Sequence, residues 1–91
     1  MAKMGLIYKI NPEKPGTDYI NKLVEEIREI ASEYGGELKD YKVEPLAFGL
    51  YTLTVLIAVD ESNEVFPDKF ESRVKNISGV SSVENSGMTR L

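Results

Sequence analysis

A chain of 91 residues can bury one hydrophobic core but has no room for a second, so residues 1–91 are expected to fold as a single domain. Its 15 acidic and 11 basic side chains leave a net charge of −4, which disfavours a partner recognised mainly through phosphates, nucleic acid included. Cysteine and histidine are both absent, so disulfides, thiolate nucleophiles, sulfur- or imidazole-ligated metals and His-based triads are excluded.

Gly5 to Ile10 alternates, with Leu6, Tyr8 and Ile10 on one face, and Asn11-Pro12 marks its end, which predicts a first strand. After the loop Glu13-Lys14-Pro15-Gly16, Thr17 or Asp18 is placed to cap a helix. Its apolar positions, Ile20, Leu23, Val24, Ile27, Ala31 and Tyr34, recur at three- and four-residue steps. Lys22, Glu25, Glu26, Arg28, Glu29 and Glu33 form the opposite, solvated face, and Gly35-Gly36 ends the helix. Leu38 to Val43 is short and lysine-bearing, as expected of an edge strand.

Pro45-Leu46-Ala47-Phe48-Gly49 is a turn that carries a large aromatic where polar residues are usual. Pro45 fixes its own φ, and Gly49 permits a backbone shape that a side chain forbids. The turn leads directly into Leu50 to Val59, the most hydrophobic strand, with Tyr51, Leu53, Val55, Ile57 and Val59 on one face. Thr52, Thr54, Leu56 and Ala58 occupy the other, lightly covered face. Beyond the polar stretch Asp60 to Glu64, the spacing of Phe66, Phe70, Val74 and Ile77 predicts a second helix with Pro67 in its first turn. Ser78-Gly79 breaks it, and Val80 to Leu91 reads as a last strand.

The resulting order is βαββαβ. Right-handed crossovers put both helices on one side of the sheet, which predicts an α+β, ferredoxin-like two-layer sandwich. Its four-stranded antiparallel sheet has the first and third strands in the middle, and Lys9, Thr52 and Thr54 suit the face away from the helices.

No constellation for covalent chemistry emerges. The chain lacks the glycine-rich Gly-Lys-Ser/Thr string of a phosphate-binding loop, and Asp60-Glu61-Ser62-Asn63-Glu64 lacks the glycine and spaced final glutamate of a calcium loop. Adjacent carboxylates such as Glu25 and Glu26 lie on a solvated helix face. The chain is therefore expected not to be an enzyme, and to need no cofactor and no metal. No apolar run approaches the roughly 18 residues of a membrane span, and residues 1–6 show no apolar leader, so a cytoplasmic protein without membrane association is expected. Two sharper candidates remain, Phe48 and the C-terminal Met88-Thr89-Arg90-Leu91, with two readings each. Phe48 is either a core aromatic or a presented one, and Arg90 is either a frayed terminal charge or a functional cation.

The string Pro45-Leu46-Ala47-Phe48-Gly49-Leu50, followed by an alternating strand and an acidic turn, resembles the archaeal elongation factor one beta family. Ile10-Asn11-Pro12, Ile77-Ser78-Gly79-Val80-Ser81 and the Arg90-Leu91 ending are similar to the family's first strand end, helix-to-strand junction and basic-plus-leucine terminus. The resemblance implies a guanine nucleotide exchange factor for elongation factor one alpha, the GTPase that brings aminoacyl-tRNA to the ribosome. It implies that Phe48, Gly49, Leu50, Met88, Thr89, Arg90 and Leu91 bind that GTPase, and that Arg90 enters near its magnesium and phosphate site. Eukaryotic relatives have lysine where Arg90 stands, so the charge is kept on a broader, planar head. Ser86-Gly87 replaces larger residues of the relatives, which predicts a looser last strand.

A single-strand RNA-binding module of the RNA-recognition type shares the βαββαβ order, and Ala47-Phe48-Gly49-Leu50-Tyr51 has a superficial likeness to its aromatic signature. The leading basic residue and the second aromatic of that signature are missing. A homodimeric small-molecule-binding domain is a third reading of the same fold.

Overall fold

A computed structural model describes residues 2–91. The elements in chain order are β1 (Lys3–Pro12), α1 (Thr17–Glu33), β2 (Glu37–Pro45), a 3-10 turn (Ala47–Gly49), β3 (Tyr51–Asp60), α2 (Phe66–Lys75) and β4 (Val80–Arg90). The sheet order is β2-β3-β1-β4 and every pair is antiparallel. The helices pack on each other and on the sheet, giving the expected two-layer ferredoxin-like sandwich with the first and third strands central.

Alternation decides which residues meet. Leu6, Tyr8 and Ile10 of β1 and Leu53, Val55, Ile57 and Val59 of β3 are buried under the helices. Ile20, Leu23, Val24, Ile27, Ile30 and Ala31 of α1 close over them, together with Phe66, Phe70 and Val74 of α2. The Phe66 and Phe70 rings stack at 5.2 Å, and Phe70 meets Tyr8 at 4.9 Å in a tilted pair. Tyr34, on the expected apolar stripe, is only partly buried against this core.

The end of α1 follows from its two glycines. Gly35 adopts φ 90, its N–H donates to Ser32 O at 3.3 Å, and the Gly36 N–H donates to Ala31 O at 2.7 Å. This is the double closure of a Schellman ending, which satisfies carbonyls that the helix itself leaves free. Gly36 is further constrained by space, since a Cβ there would stand 2.6 Å from a Phe66 ring carbon.

Three expectations need correction. The N-cap of α1 is Gly16, at φ 99 and ψ 158, rather than Thr17 or Asp18, and no side chain caps the helix. The extended glycine conformation turns the chain so late that Thr17 already lies in the first turn, where Asp18 faces the positive end of the helix dipole. The edge strand β2 runs past Leu38 to Val43 in both directions, to Glu37 and Pro45, because β3 offers pairing partners as far as Ala58 and Tyr51. The face away from the helices is not evenly open: Lys9 is exposed, but Gly5, Thr52 and Ala58 are buried there. Thr52 is held by donating its hydroxyl to Asn11 Oδ1 at 2.9 Å.

Candidate functional site

The Phe48 turn is closed by its own backbone. The Leu46 N–H donates to Leu50 O at 2.7 Å, and the Leu50 N–H donates to Ala47 O at 3.3 Å. Closing so short a turn forces Phe48 to φ 62 and ψ 30, making it the one non-glycine residue with positive φ among the described residues. That conformation costs an L-residue about 1–2 kcal/mol, and it is followed by Gly49 at φ 74. The ring gains no burial in exchange, being 95% exposed. The core reading of Phe48 is therefore excluded. Strain concentrated on an unpacked aromatic points toward function rather than stability.

The turn is also braced from outside. The Gly16 N–H donates to Gly49 O at 3.2 Å, and Pro15 Cβ lies 3.5 Å from where a Cβ on Gly49 would stand. Leu50 leaves the turn in an extended conformation and is half-buried. Leu46, 52% exposed, accompanies Phe48 on this loop. An apolar residue two places before Phe48 in a turn is the signal in the sequence for this second exposed side chain.

The second group lies at the far end of β4. The frayed reading of Arg90 fails, because Arg90 pairs with Met4 in the ladder and the Leu91 N–H donates to Lys3 O at 3.2 Å. Met88 is 66% exposed and Leu91 57%, and Thr89 and Arg90 are exposed as well. Among the described residues, Arg90 forms no ion pair. It borders a shallow depression of about 270 Å³ shared with Met4, Glu61, Met88 and Thr89. Before this tip, the register slips between Ile7 and Tyr8, which leaves Ser86 as the extra residue of a bulge. The Ser86 hydroxyl donates to Ile7 O at 3.4 Å, and the Gly87 N–H donates to Asn85 Oδ1 at 3.1 Å. The looser strand expected from Ser86-Gly87 thus takes the form of a bulge.

The structure brings Phe48, Gly49 and Leu50 together, and separately Met88, Thr89, Arg90 and Leu91. It does not bring the two groups to each other. Pro45 pairs with Tyr51 at the start of β3, whereas Asp60 at its end pairs with Lys3, beside the Met4–Arg90 pair. The 10 residues of β3 lie between, a span of about 30 Å at 3.2–3.4 Å per residue.

Burial pushes the Tyr8 hydroxyl up to about 12, opposed by a hydrogen bond from Asn85 and reinforced by the charge of Glu71. Its hydroxyl donates to Glu71 Oε2 at 3.3 Å, so it ties β1 to α2 inside the fold. Asp60 is held below the usual carboxylate range by hydrogen bonds from the Ser62 hydroxyl and backbone N–H, a turn-forming arrangement. No group of three or more acidic side chains able to hold a metal occurs among the described residues.

Residues 5–91 match the EF-1 guanine nucleotide exchange domain. The chain belongs to that family. A protein named Elongation factor 1-beta from Staphylothermus marinus is 38% identical over 91 residues, spanning 100% of this chain and 99% of the relative. Another of that name, from Nanoarchaeum equitans, is 39% identical over 84 residues, spanning 90% of this chain and 98% of the relative. Among solved structures, the C-terminal domain of the MgtC protein from Mycobacterium tuberculosis superposes with a TM-score of 0.67 at 11% identity, covering 97% of this chain and 87% of its own. The ACT domain from GTP pyrophosphokinase of Chlorobium tepidum gives a TM-score of 0.60 at 14% identity, covering 91% of this chain and 97% of its own. These two likenesses show a shared fold alone. The same scaffold is thus adopted by sequences of only 11% and 14% identity to this chain.

The sheet face that an RNA-recognition module would use is also on view. Its central positions are Gly5, Ile7, Lys9 and Asn11 on β1 and Thr52, Thr54, Leu56 and Ala58 on β3, none of them aromatic. Tyr8 lies buried on the helix side, and Phe48 stands outside the sheet. No helix is long and apolar enough to cross a membrane.

Proposed function

We propose that this chain promotes exchange of GDP for GTP on elongation factor one alpha, gripping the GTPase at two separated points. Leu46, Phe48, Gly49 and Leu50 form one docking point. Met88, Thr89 and Leu91 form the rim of the other, and Arg90 enters the magnesium and phosphate site there. The observation that carries this reading is Arg90 itself: a cation on a ladder-paired strand end, exposed and without an ion pair among the described residues. Family membership and the name of the relatives supply the class of partner.

Exchange needs no bond to break. A factor that binds the nucleotide-free GTPase more tightly than the loaded one must, by linkage, weaken nucleotide binding by the same factor. A guanidinium placed where magnesium sits repels the ion and competes for its oxygen ligands. The chain as a whole, at net −4, offers little nonspecific attraction to the tRNA and ribosome around the GTPase. The lack of aromatics on the open central strands weighs against the RNA-binding alternative, which needs them to stack bases.

The test is release of labelled GDP from purified elongation factor one alpha with and without this chain. Acceleration at substoichiometric amounts of the chain supports the reading, and an unchanged rate at saturating amounts rejects it.

A further inference from the structure

Gly5, the third residue of β1, is an unexpected residue for a strand in the centre of the sheet. It adds no side chain to the sheet and loosens the backbone, so such a glycine usually marks a place where something else must come close. Gly5 is buried, paired with Ala58 on one side and Thr89 on the other. A Cβ built on it would stand 2.8 Å from Leu56 Cδ1, 2.8 Å from Thr89 Cγ2 and 3.3 Å from Leu91 Cδ2. Three side chains therefore converge on the space that a methyl group would fill. Two of them, Thr89 and Leu91, flank Arg90.

From this convergence we infer that Gly5 is a positioning residue for nucleotide exchange: the gap above it seats Thr89 and Leu91 on the open face and so aims Arg90 the other way. Strand alternation makes the coupling direct, because residues 89 and 91 share one face and Arg90, opposite Met4, takes the other. The Leu91 N–H bond to Lys3 O holds the backbone, while the Leu91 side chain lies over the gap at Gly5. The three contacts do not yield equally. Leu56 Cδ1 is the tip of a rotatable side chain on a lightly covered face and can swing aside. Thr89 Cγ2 is attached to Cβ itself, so it gives way only by changing rotamer or moving the strand. A methyl on residue 5 therefore either turns Thr89 out of its rotamer or displaces the end of β4, and in both cases it disturbs the seating that holds Arg90.

This inference rests on the proposed role of Arg90, and the two can fail separately. Four variants, Gly5→Ala, Gly5→Ala with Thr89→Ser, Leu91→Ala and Arg90→Ala, are compared with the wild-type full chain for GDP release from elongation factor one alpha as a function of concentration. Melting temperature and amide exchange at Leu91 are followed alongside. Gly5→Ala is expected to lower the saturating rate by about tenfold or more, as ångström-scale misplacement of a positioned group can, with a smaller rise in the half-saturating concentration. The Leu91 amide should exchange faster. Thr89→Ser removes the crowded methyl, keeps the hydroxyl, and should restore the protection and most of the saturating rate. Leu91→Ala, which cannot overpack the sheet but removes a docking side chain, should lower both the rate and the affinity. A wild-type saturating rate for Gly5→Ala overturns the inference. So does a loss that Thr89→Ser fails to restore and that follows the melting temperature. If Arg90→Ala exchanges at the wild-type rate, the role of Arg90 falls. The seating of β4 is then still decided by Leu91 amide exchange, where unchanged protection in Gly5→Ala overturns it.

Discussion

The backbone N–H of Gly16 donates to the carbonyl of Gly49 across 3.2 Å, tying the loop before α1 to the turn that presents Phe48. Because that bond and the closures from Leu46 and Leu50 are all made by main chain, the turn does not depend on the aromatic ring for its shape. The left-handed conformation at Phe48 is imposed from outside and remains whichever side chain stands there.

Replacing Phe48 should therefore separate stability from docking. Phe48→Gly removes a left-handed penalty of about 1–2 kcal/mol and adds about 0.5–1 kcal/mol of unfolded-state freedom, so its melting temperature should equal or slightly exceed that of the wild type. Phe48→Ala keeps the backbone penalty and should melt close to the wild type. Both should bind elongation factor one alpha more weakly. Thermal melts beside titration of the complex check this; a stability loss of about 3–5 kcal/mol in Phe48→Ala would instead show a packed ring.

Much of this architecture is legible in the residues alone. Strict alternation in β3 gives both its register and its core face, and the pair Gly35-Gly36 marks the end of α1 for the same reason that it ends there in three dimensions. Phe48 could not be settled that way, since an aromatic after proline serves equally as a plug or a protrusion; its exposure follows from hydrogen bonds between residues 46 and 50 and from a brace in another loop. Thr17 looked like a cap because its chemistry suits one, but the φ of 99 at Gly16 gives the position to the glycine. The role of Gly5 depends on Thr89 and Leu91, more than 80 residues away in sequence, so no local pattern carries it. The separation of Phe48 from Arg90 likewise emerges only once strand order and direction are known.

Alkaline sensitivity should trace in part to Tyr8. Burial, first of all, raises its hydroxyl from 10.0 in the unfolded chain to about 12 in the folded one. Between those values the unfolded chain has lost a proton that the folded chain still holds, so rising pH favours unfolding, by about 2–3 kcal/mol across the window. Tyr8→Phe lacks this group, and the stability advantage of the wild type over Tyr8→Phe should shrink as pH rises from 9 toward 12. Denaturant titrations of both proteins at stepped pH measure it, and a constant difference would contradict it.

RNA should bind only in the weak, salt-sensitive nonspecific range. The 11 basic side chains are outnumbered by 15 acidic ones, and the open positions of β1 and β3 offer no aromatic platform. Fluorescence titration with single-stranded RNA at physiological salt provides the check. A micromolar or tighter complex with a defined sequence would revive the RNA-recognition reading.

The most direct measurement is the rate of GDP release from elongation factor one alpha driven by saturating wild type, Arg90→Ala and Arg90→Lys, with complex formation measured separately. Arg90 is exposed on a strand end that the Leu91 N–H pins to Lys3 O, so truncating it should leave the fold and the Phe48 docking point unaffected. Arg90→Ala should lose most of the acceleration while still forming the complex, and Arg90→Lys, which keeps the charge, should retain a substantial part of it. Added magnesium should slow the wild-type reaction more than that of Arg90→Ala, since ion and guanidinium compete for one site. GDP release by Arg90→Ala as fast as by the wild type at saturating concentration would contradict the assignment of Arg90 to the magnesium and phosphate site.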